Sequence, residues 1–249
     1  MYSALEALDI ARENPQHPVI LAGIGFETTA PTIAASILQA EQENLKNYHV
    51  LSLHKLTPPV IKALLDSDET RLNGIVCPGH VSTIIGSNPY EFIPRNYGIA
   101  CVISGFEPVD ILLCISMLVD QIERELPGVE IAYRRAVHPE GNQQALRVME
   151  KVFDICPAVW RGIGTVPDSG LKLKQEYKAF DAERAFSILP VESFEPAGCL
   201  CGDILRGVRV PLDCKLFNTA CTPEHPVGPC MVSSEGVCSA YYHYGDGHG

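Results

Sequence analysis

The sequence predicts an α/β fold, with parallel-sheet, Rossmann-like strand–helix lobes followed by a small, irregular, cysteine-rich C-terminal domain. Three observations lead there. Short continuous apolar runs alternate with amphipathic segments through the first two-thirds of the chain, the signature of parallel strands joined by helical crossovers. The best helical stripe, Ile111, Leu112, Ile115, Leu118, Val119 and Ile122, repeats at three- and four-residue spacing, so its apolar side chains share one side of a helix. Six of the ten cysteines fall within the last fifty or so residues, amid prolines and with little periodicity.

In chain order, 1–14 reads as an amphipathic helix carrying Glu6, Asp9 and Glu13. Val19–Phe26 is a continuous apolar run ending in glycines, a buried strand. Helical periodicity follows over Thr32–Asn44, a strand over Tyr48–Leu53, and a helix over Pro59–Leu65, opened by prolines whose missing N–H costs nothing there. Gly74–Cys77 reads as a third strand, Val81–Gly86 as a short helix and Ile99–Ser104 as a fourth strand. Pro108–Leu126 is the clearest helix; Val129–Ala136 is a fifth strand and Gln143–Phe153 another helix. Ile163–Ser169 reads as a glycine- and proline-bearing loop, with a short charged helix around Asp181–Phe186. A boundary near Leu189 divides an α/β region, 1–188, expected to hold parts of two lobes, from the cysteine-rich region, 189–249.

Composition narrows the function classes. Of 249 residues, 46% are apolar and 20% charged, a globular balance with enough chain for real cores. The formal net charge is −11 and no run of Lys or Arg stands out, so the basic face that nucleic acids or anionic membranes require is lacking. No apolar stretch reaches membrane-spanning length, and the N-terminal segment lacks a basic n-region and apolar h-region. The expectation is a cytoplasmic chain, with neither nucleic-acid nor membrane partners. In a reducing compartment a dense cysteine cluster points to metal or redox work rather than a disulfide framework.

Four successive strand ends run into polar loops: Gly25–Pro31 with Glu27, Thr28 and Thr29; His54–Pro59; Cys77–Ser82 with His80; and Gly105–Asp110 with Glu107. In one open parallel sheet these loops share an edge, which would gather Glu27, His54, His80 and Glu107 for proton transfer or transient iron binding. Any one of them alone reads first as a helix cap or first-turn acid, and only their recurrence at four strand ends favours a site. Neither G-x-G-x-x-G nor a P-loop occurs. Cys77, Cys101, Cys114 and Cys156 sit singly in apolar stretches, as small buried hydrophobes do.

The clustered cysteines are spaced Cys199-x-Cys201-x12-Cys214-x6-Cys221-x8-Cys230-x7-Cys238. Four thiolates complete a zinc site or an iron–sulfur cluster, leaving two over for redox work. None of the spacings is the C-x2-C knuckle of zinc sites, and the bacterial ferredoxin run is absent. The irregular spacing favours a cluster wrapped by loops, with zinc as the alternative.

GFETTAP, CPGHVS, GFEPVD, YRRAVHPEGNQQA (Tyr133–Ala145) and the tail GCLCGDILRG with CMVSSEGVCSAYY together resemble the HypD hydrogenase maturation family, from about Leu5 to Tyr244. The resemblance implies a scaffold that assembles the Fe(CN)2CO fragment of nickel–iron hydrogenase, working with a HypC-like chaperone and a HypE-like cyanide donor supplied by HypF. It implies two α/β lobes and a C-terminal [4Fe-4S] domain similar to that of ferredoxin–thioredoxin reductase. Carried onto this chain, it implies Cys199, Cys214, Cys221 and Cys238 as cluster ligands and Cys201 with Cys230 as a redox-active pair. Glu27, Thr28, Thr29, His80 and Glu107 match the family's cleft positions. It further implies an N-terminal region of roughly a hundred residues ahead of this chain's start, bearing an iron-ligating C-x-G-x-H cysteine and a G-P-G-C-P-V-C pair; neither motif occurs in these 249 residues. The expected role is therefore an assembly scaffold with redox-active thiols rather than a conventional turnover enzyme. A cluster-dependent thiol–disulfide oxidoreductase and a zinc-stapled interaction module are the other readings.

Overall fold

The computed structural model describes residues 3–67, 69–188 and 196–245. It forms two compact units. One comprises Met1–Val60, Asn73–Ala158 and Pro167–Pro190; the other comprises Ile61–Leu72, Val159–Val166 and Val191–Gly249. The boundary expected near Leu189 falls outside the described residues.

In chain order the elements are α1 (Ala4–Glu13), β1 (Val19–Gly25), α2 (Ala30–Gln42), β2 (Tyr48–His54), α3 (Thr57–Leu65), β3 (Gly74–Pro78), α4 (Gly79–Ile85), α5 (Phe92–Tyr97), β4 (Ala100–Ser104), α6 (Pro108–Glu123), β5 (Val129–Ile131), α7 (Gln143–Val152), β6 (Phe153–Trp160), β7 (Gly164–Leu173), α8 (Ala182–Phe186), α9 (Cys201–Leu205), α10 (Pro229–Val232) and α11 (Val237–Tyr244). The α/β class holds, with parallel strands and intervening helices. The parallel strands form two sheets rather than one: β1 pairs with β2, and β3–β4–β5 makes a separate three-stranded sheet.

The first sheet packs its inner face, Leu21, Tyr48 and Val50, with Leu8 and Ala11 of α1, Ile33 and Ile37 of α2, and Met149 and Val152 of α7. The Tyr48 hydroxyl, buried among these, meets Ser36 Oγ at 2.7 Å, so its polar tip is satisfied. The second sheet has a smaller core of Ala100, Val102, Cys114, Leu118 and Ala132. Cys77, Cys101 and Cys114 are buried, as lone apolar-context cysteines should be, while Cys156 is half-buried.

Two local expectations are corrected. The strand read as Val129–Ala136 stops at Ile131. The amides of Ala132 and Tyr133 both turn onto the Ile103 carbonyl, and those of Ala136 and Val137 then close a turn on Tyr133. The loop read over Ile163–Ser169 is largely strand: β7 starts at Gly164 and pairs with β6, which begins at the last residue of the expected helix over Gln143–Phe153. Glycine and proline in these two strands mask their alternation, and Pro157 and Pro167 are admissible because a two-stranded sheet is all edge.

Candidate metal and thiol site

In the second unit the cysteines are delivered by short elements that the proline-rich spacing permits. Cys199 precedes α9 and Cys201 opens it; Cys214 follows a helical turn at Pro211–Asp213; Cys230 lies in α10 and Cys238 in α11. Cys221 sits in a tight turn, bridged to Phe217. All six line one tight pocket of about 10 Å3, walled by Ile204, Leu216, Phe217 and Met231. Cys201 and Cys230 form a disulfide with their Cα atoms 6.2 Å apart. Cys199, Cys214, Cys221 and Cys238 remain thiols.

The electrostatics of those four is that of crowded donors. Burial pushes the Cys238 thiol up to about 11, and the neighbouring sulfurs of Cys214, Cys221 and Cys199 add to the rise. A cation among them reverses that penalty, because it stabilises the thiolates that the apolar walls disfavour. The Val227 amide donates to Cys221 Sγ at 3.3 Å, the kind of N–H···S contact that tunes a sulfur-ligated metal. Arg161 donates to the Val227 carbonyl at 2.8 Å and so holds that loop. Gly228 is the close approach: a Cβ there would lie 2.5 Å from Cys199 Sγ. The donor set and its apolar enclosure suit a [4Fe-4S] cluster. Among the described residues no group of three His, Cys, Asp or Glu side chains is placed to hold a single metal ion.

In the first unit, the residues expected along one sheet edge belong to two sheets, which corrects that expectation. Glu27, just past β1, is buried and accepts from the Thr57 amide at 2.7 Å and the Thr57 hydroxyl at 3.0 Å, so it caps α3. Desolvation raises its pKa, and these bonds only partly offset the rise. Thr28 and Thr29 line a cavity of about 320 Å3 with Ser3, Thr32 and Ile33; Thr29 also donates to the Phe26 carbonyl at 3.1 Å. His54 turns inward. Its Nδ1 lies 3.0 Å from Ser52 Oγ, whose own proton goes to the Leu171 carbonyl at 2.8 Å. Nδ1 therefore carries the imidazole proton, and Nε2 is buried with no partner among the described residues. Burial lowers the His54 pKa to about 4.

On the second sheet, His80 is exposed in the first turn of α4 and stacks on Phe106 with ring centroids 4.0 Å apart. Glu107 is the N-cap of α6, in a reciprocal box with Asp110. The structure adds Arg135, which grips both Asp110 oxygens at 2.6 and 2.7 Å and reaches Glu107 at 3.4 Å. Arg135 lay in the quoted Tyr133–Ala145 motif, but nothing in its spacing pointed to Asp110. Gly228 was likewise missed; its signal is a small residue two positions before Cys230.

Comparison with known proteins gives the family of the chain. The chain is 46% identical over 251 residues to the hydrogenase expression/formation protein HupD of Azotobacter chroococcum, and 46% identical over 252 residues to the hydrogenase maturation factor HypD of Cupriavidus necator; each alignment covers 98% of this chain and 66% of the relative. It is 41% identical over 244 residues to the putative hydrogenase expression/formation protein MJ0993 of Methanocaldococcus jannaschii, covering 98% and 68%. The chain thus spans about 66% of the length of the first two. A family model described as "Hydrogenase formation hypA family" matches residues 1–245. With that match and these identities, the chain belongs to the HypD family.

Proposed function

We propose that this chain serves hydrogenase maturation as the cluster-bearing, thiol-redox portion of a scaffold on which the Fe(CN)2CO fragment is assembled as cargo, with a HypC-like chaperone and a HypE-like cyanide donor as partners. The observation that supports it is the convergence of six cysteines on one apolar pocket, two of them already joined. Cys199, Cys214, Cys221 and Cys238 would hold a [4Fe-4S] cluster, which supplies single-electron transfer when bound. The Cys201–Cys230 disulfide takes up two electrons and two protons and returns two thiols, the electrons coming from an external low-potential donor. Ile204, Leu216, Phe217 and Met231 keep bulk water from the sulfurs, and the Val227 amide steadies charge on Cys221. Glu27, Thr28, Thr29, His80 and Glu107 are the proposed cleft residues; Glu27 and Glu107 act there by fixing helix starts.

The disulfide also favours a second reading, a cluster-dependent thiol–disulfide oxidoreductase. Anaerobic reconstitution with iron and sulfide tests both. A brown protein with about four irons per chain, lost in Cys214→Ser, supports a cluster; stoichiometric zinc without charge-transfer absorption overturns it. Reduction of a model disulfide without any chaperone, lost in Cys201→Ser, selects the oxidoreductase. Chaperone-dependent retention of the iron fragment selects the scaffold.

A further inference from the structure

The Cys201–Cys230 disulfide lies inside the second unit: Cys201 is 3% exposed and Cys230 7%. Thiol–disulfide exchange begins when a thiolate reaches one of the bonded sulfurs, so access sets its rate. One cover over Cys201 comes from the same unit. Strand β6 ends at Trp160 and β7 begins at Gly164, leaving residues 161–163 as the tip between them. This tip lies against both arms of the disulfide. A Cβ on Gly162 would stand 3.6 Å from Cys201 Sγ and 3.4 Å from Cγ of Pro229, the residue before Cys230. A Cβ on Gly202 would stand 2.9 Å from the Gly162 carbonyl oxygen. The Ile163 amide closes the turn on the Trp160 carbonyl at 3.1 Å.

Two features make this cover movable and tie it down. Gly162 and Gly164 both take positive φ, +86° and +97°, backbone that glycine enters and leaves without a side-chain clash and that suits a hinge. Arg161, itself exposed, donates to the Val227 carbonyl at 2.8 Å and so fastens the tip to the loop that leads into Cys230. We infer that Arg161 and Gly162 control access to this disulfide: the tip is a latched cover that a thiol-bearing partner displaces to reach Cys201. The inference rests on the redox reading of the pair and adds what regulates it. With the tip displaced, the partner's thiolate bonds to Cys201 Sγ and the Cys201–Cys230 bond breaks. Cys230 leaves with the bonding electron pair as a thiolate, which water protonates. A second thiol of the partner, deprotonated, then displaces Cys201, so the partner ends oxidised to a disulfide and the pair ends reduced. Run backwards, the same steps let the reduced pair open a disulfide on the partner.

The test treats the oxidised full chain with anaerobic dithiothreitol, quenches by alkylation, and follows the Cys201 and Cys230 peptides by mass spectrometry. Arg161→Ala is expected to open the disulfide about tenfold faster than wild type, the worth of one charge-assisted hydrogen bond, and to re-form it faster by the same factor. Arg161→Lys keeps a donor and is expected to stay within about threefold of the wild-type rate. The fraction reduced at equilibrium in a dithiothreitol redox buffer is expected to be the same in every chain, because a cover changes rates and not end states. An Arg161→Ala chain that reacts at the wild-type rate overturns the inference. So does a faster reaction with a shifted equilibrium, which marks a weakened disulfide rather than an opened cover. A disulfide that resists reduction in every chain overturns the redox reading itself, and the access role with it.

Discussion

At the scale of single residues, burial decides what a polar group does. His54 and Glu27 occupy neighbouring positions of one sheet's carboxyl edge, yet both are inside, 1% and 2% exposed. His54 is held neutral with a pKa of about 4, against about 6.5 when solvated. The unfolded chain therefore takes up a proton between pH 6.5 and 4 that the folded chain refuses. Stability from this residue is present above pH 6.5 and lost as pH falls toward 4, by at most about 3 kcal/mol. Denaturant titrations at pH 7 and pH 4.5 should show that loss, and His54→Gln should flatten the slope by one proton; an unchanged slope places the titration elsewhere. Glu27 has the opposite sign. Its raised pKa means that its ionisation opposes folding as pH rises, so the stability of Glu27→Gln relative to wild type should improve from pH 4 to pH 7. Glu27→Ala leaves the Thr57 amide and hydroxyl without an acceptor, a cost of about 1–3 kcal/mol in the same titrations. Gly228→Ala drives a Cβ to 2.5 Å from Cys199 Sγ. Iron per reconstituted chain is expected to fall several-fold, with secondary structure retained by circular dichroism; full loading refutes the close-approach role.

At the scale of elements, helix starts carry the polar residues that looked catalytic. Glu107 and Asp110 close a capping box at α6, and Arg135 locks Asp110 from the turn after β5, holding its carboxyl below the usual carboxylate range. Arg135→Gln should free the first turn of α6, read as faster hydrogen exchange of the amides at 110–112 with little change at 119–122. Uniform exchange along the helix counts against this lock. The helices and parallel strands were legible because α6, β1 and β4 pair strong apolar periodicity with sharp proline or glycine ends. The strands β6 and β7 were not legible. Pro157, Gly164 and Pro167 interrupt their alternation, and only pairing across the two-stranded sheet makes them strands.

At the scale of the molecule, each unit has its own means of stability. The first buries aliphatic cores around its sheets, whereas the core of the second is itself largely cysteine. A small unit of this kind gains its folding energy from bound metal or cross-links. Chelating iron from the reconstituted chain is therefore expected to lower the calorimetric transition of the cysteine-rich unit by ten degrees or more, while the transition of the α/β unit stays put. A single transition that shifts as a whole refutes independent stabilisation.

By itself, the sequence determined the α/β class, the family and the concentration of thiols at the C-terminal end, because periodicity, turn residues and cysteine spacing are local properties of a chain. Tertiary structure alone decided that the strand-end residues divide between two sheets, that Glu27 and His54 face inward, that Arg135 finds Asp110, and that Gly228 lies against Cys199. Each of these depends on contacts between residues far apart in the chain, and no spacing along a single strand or helix encodes a distance across space.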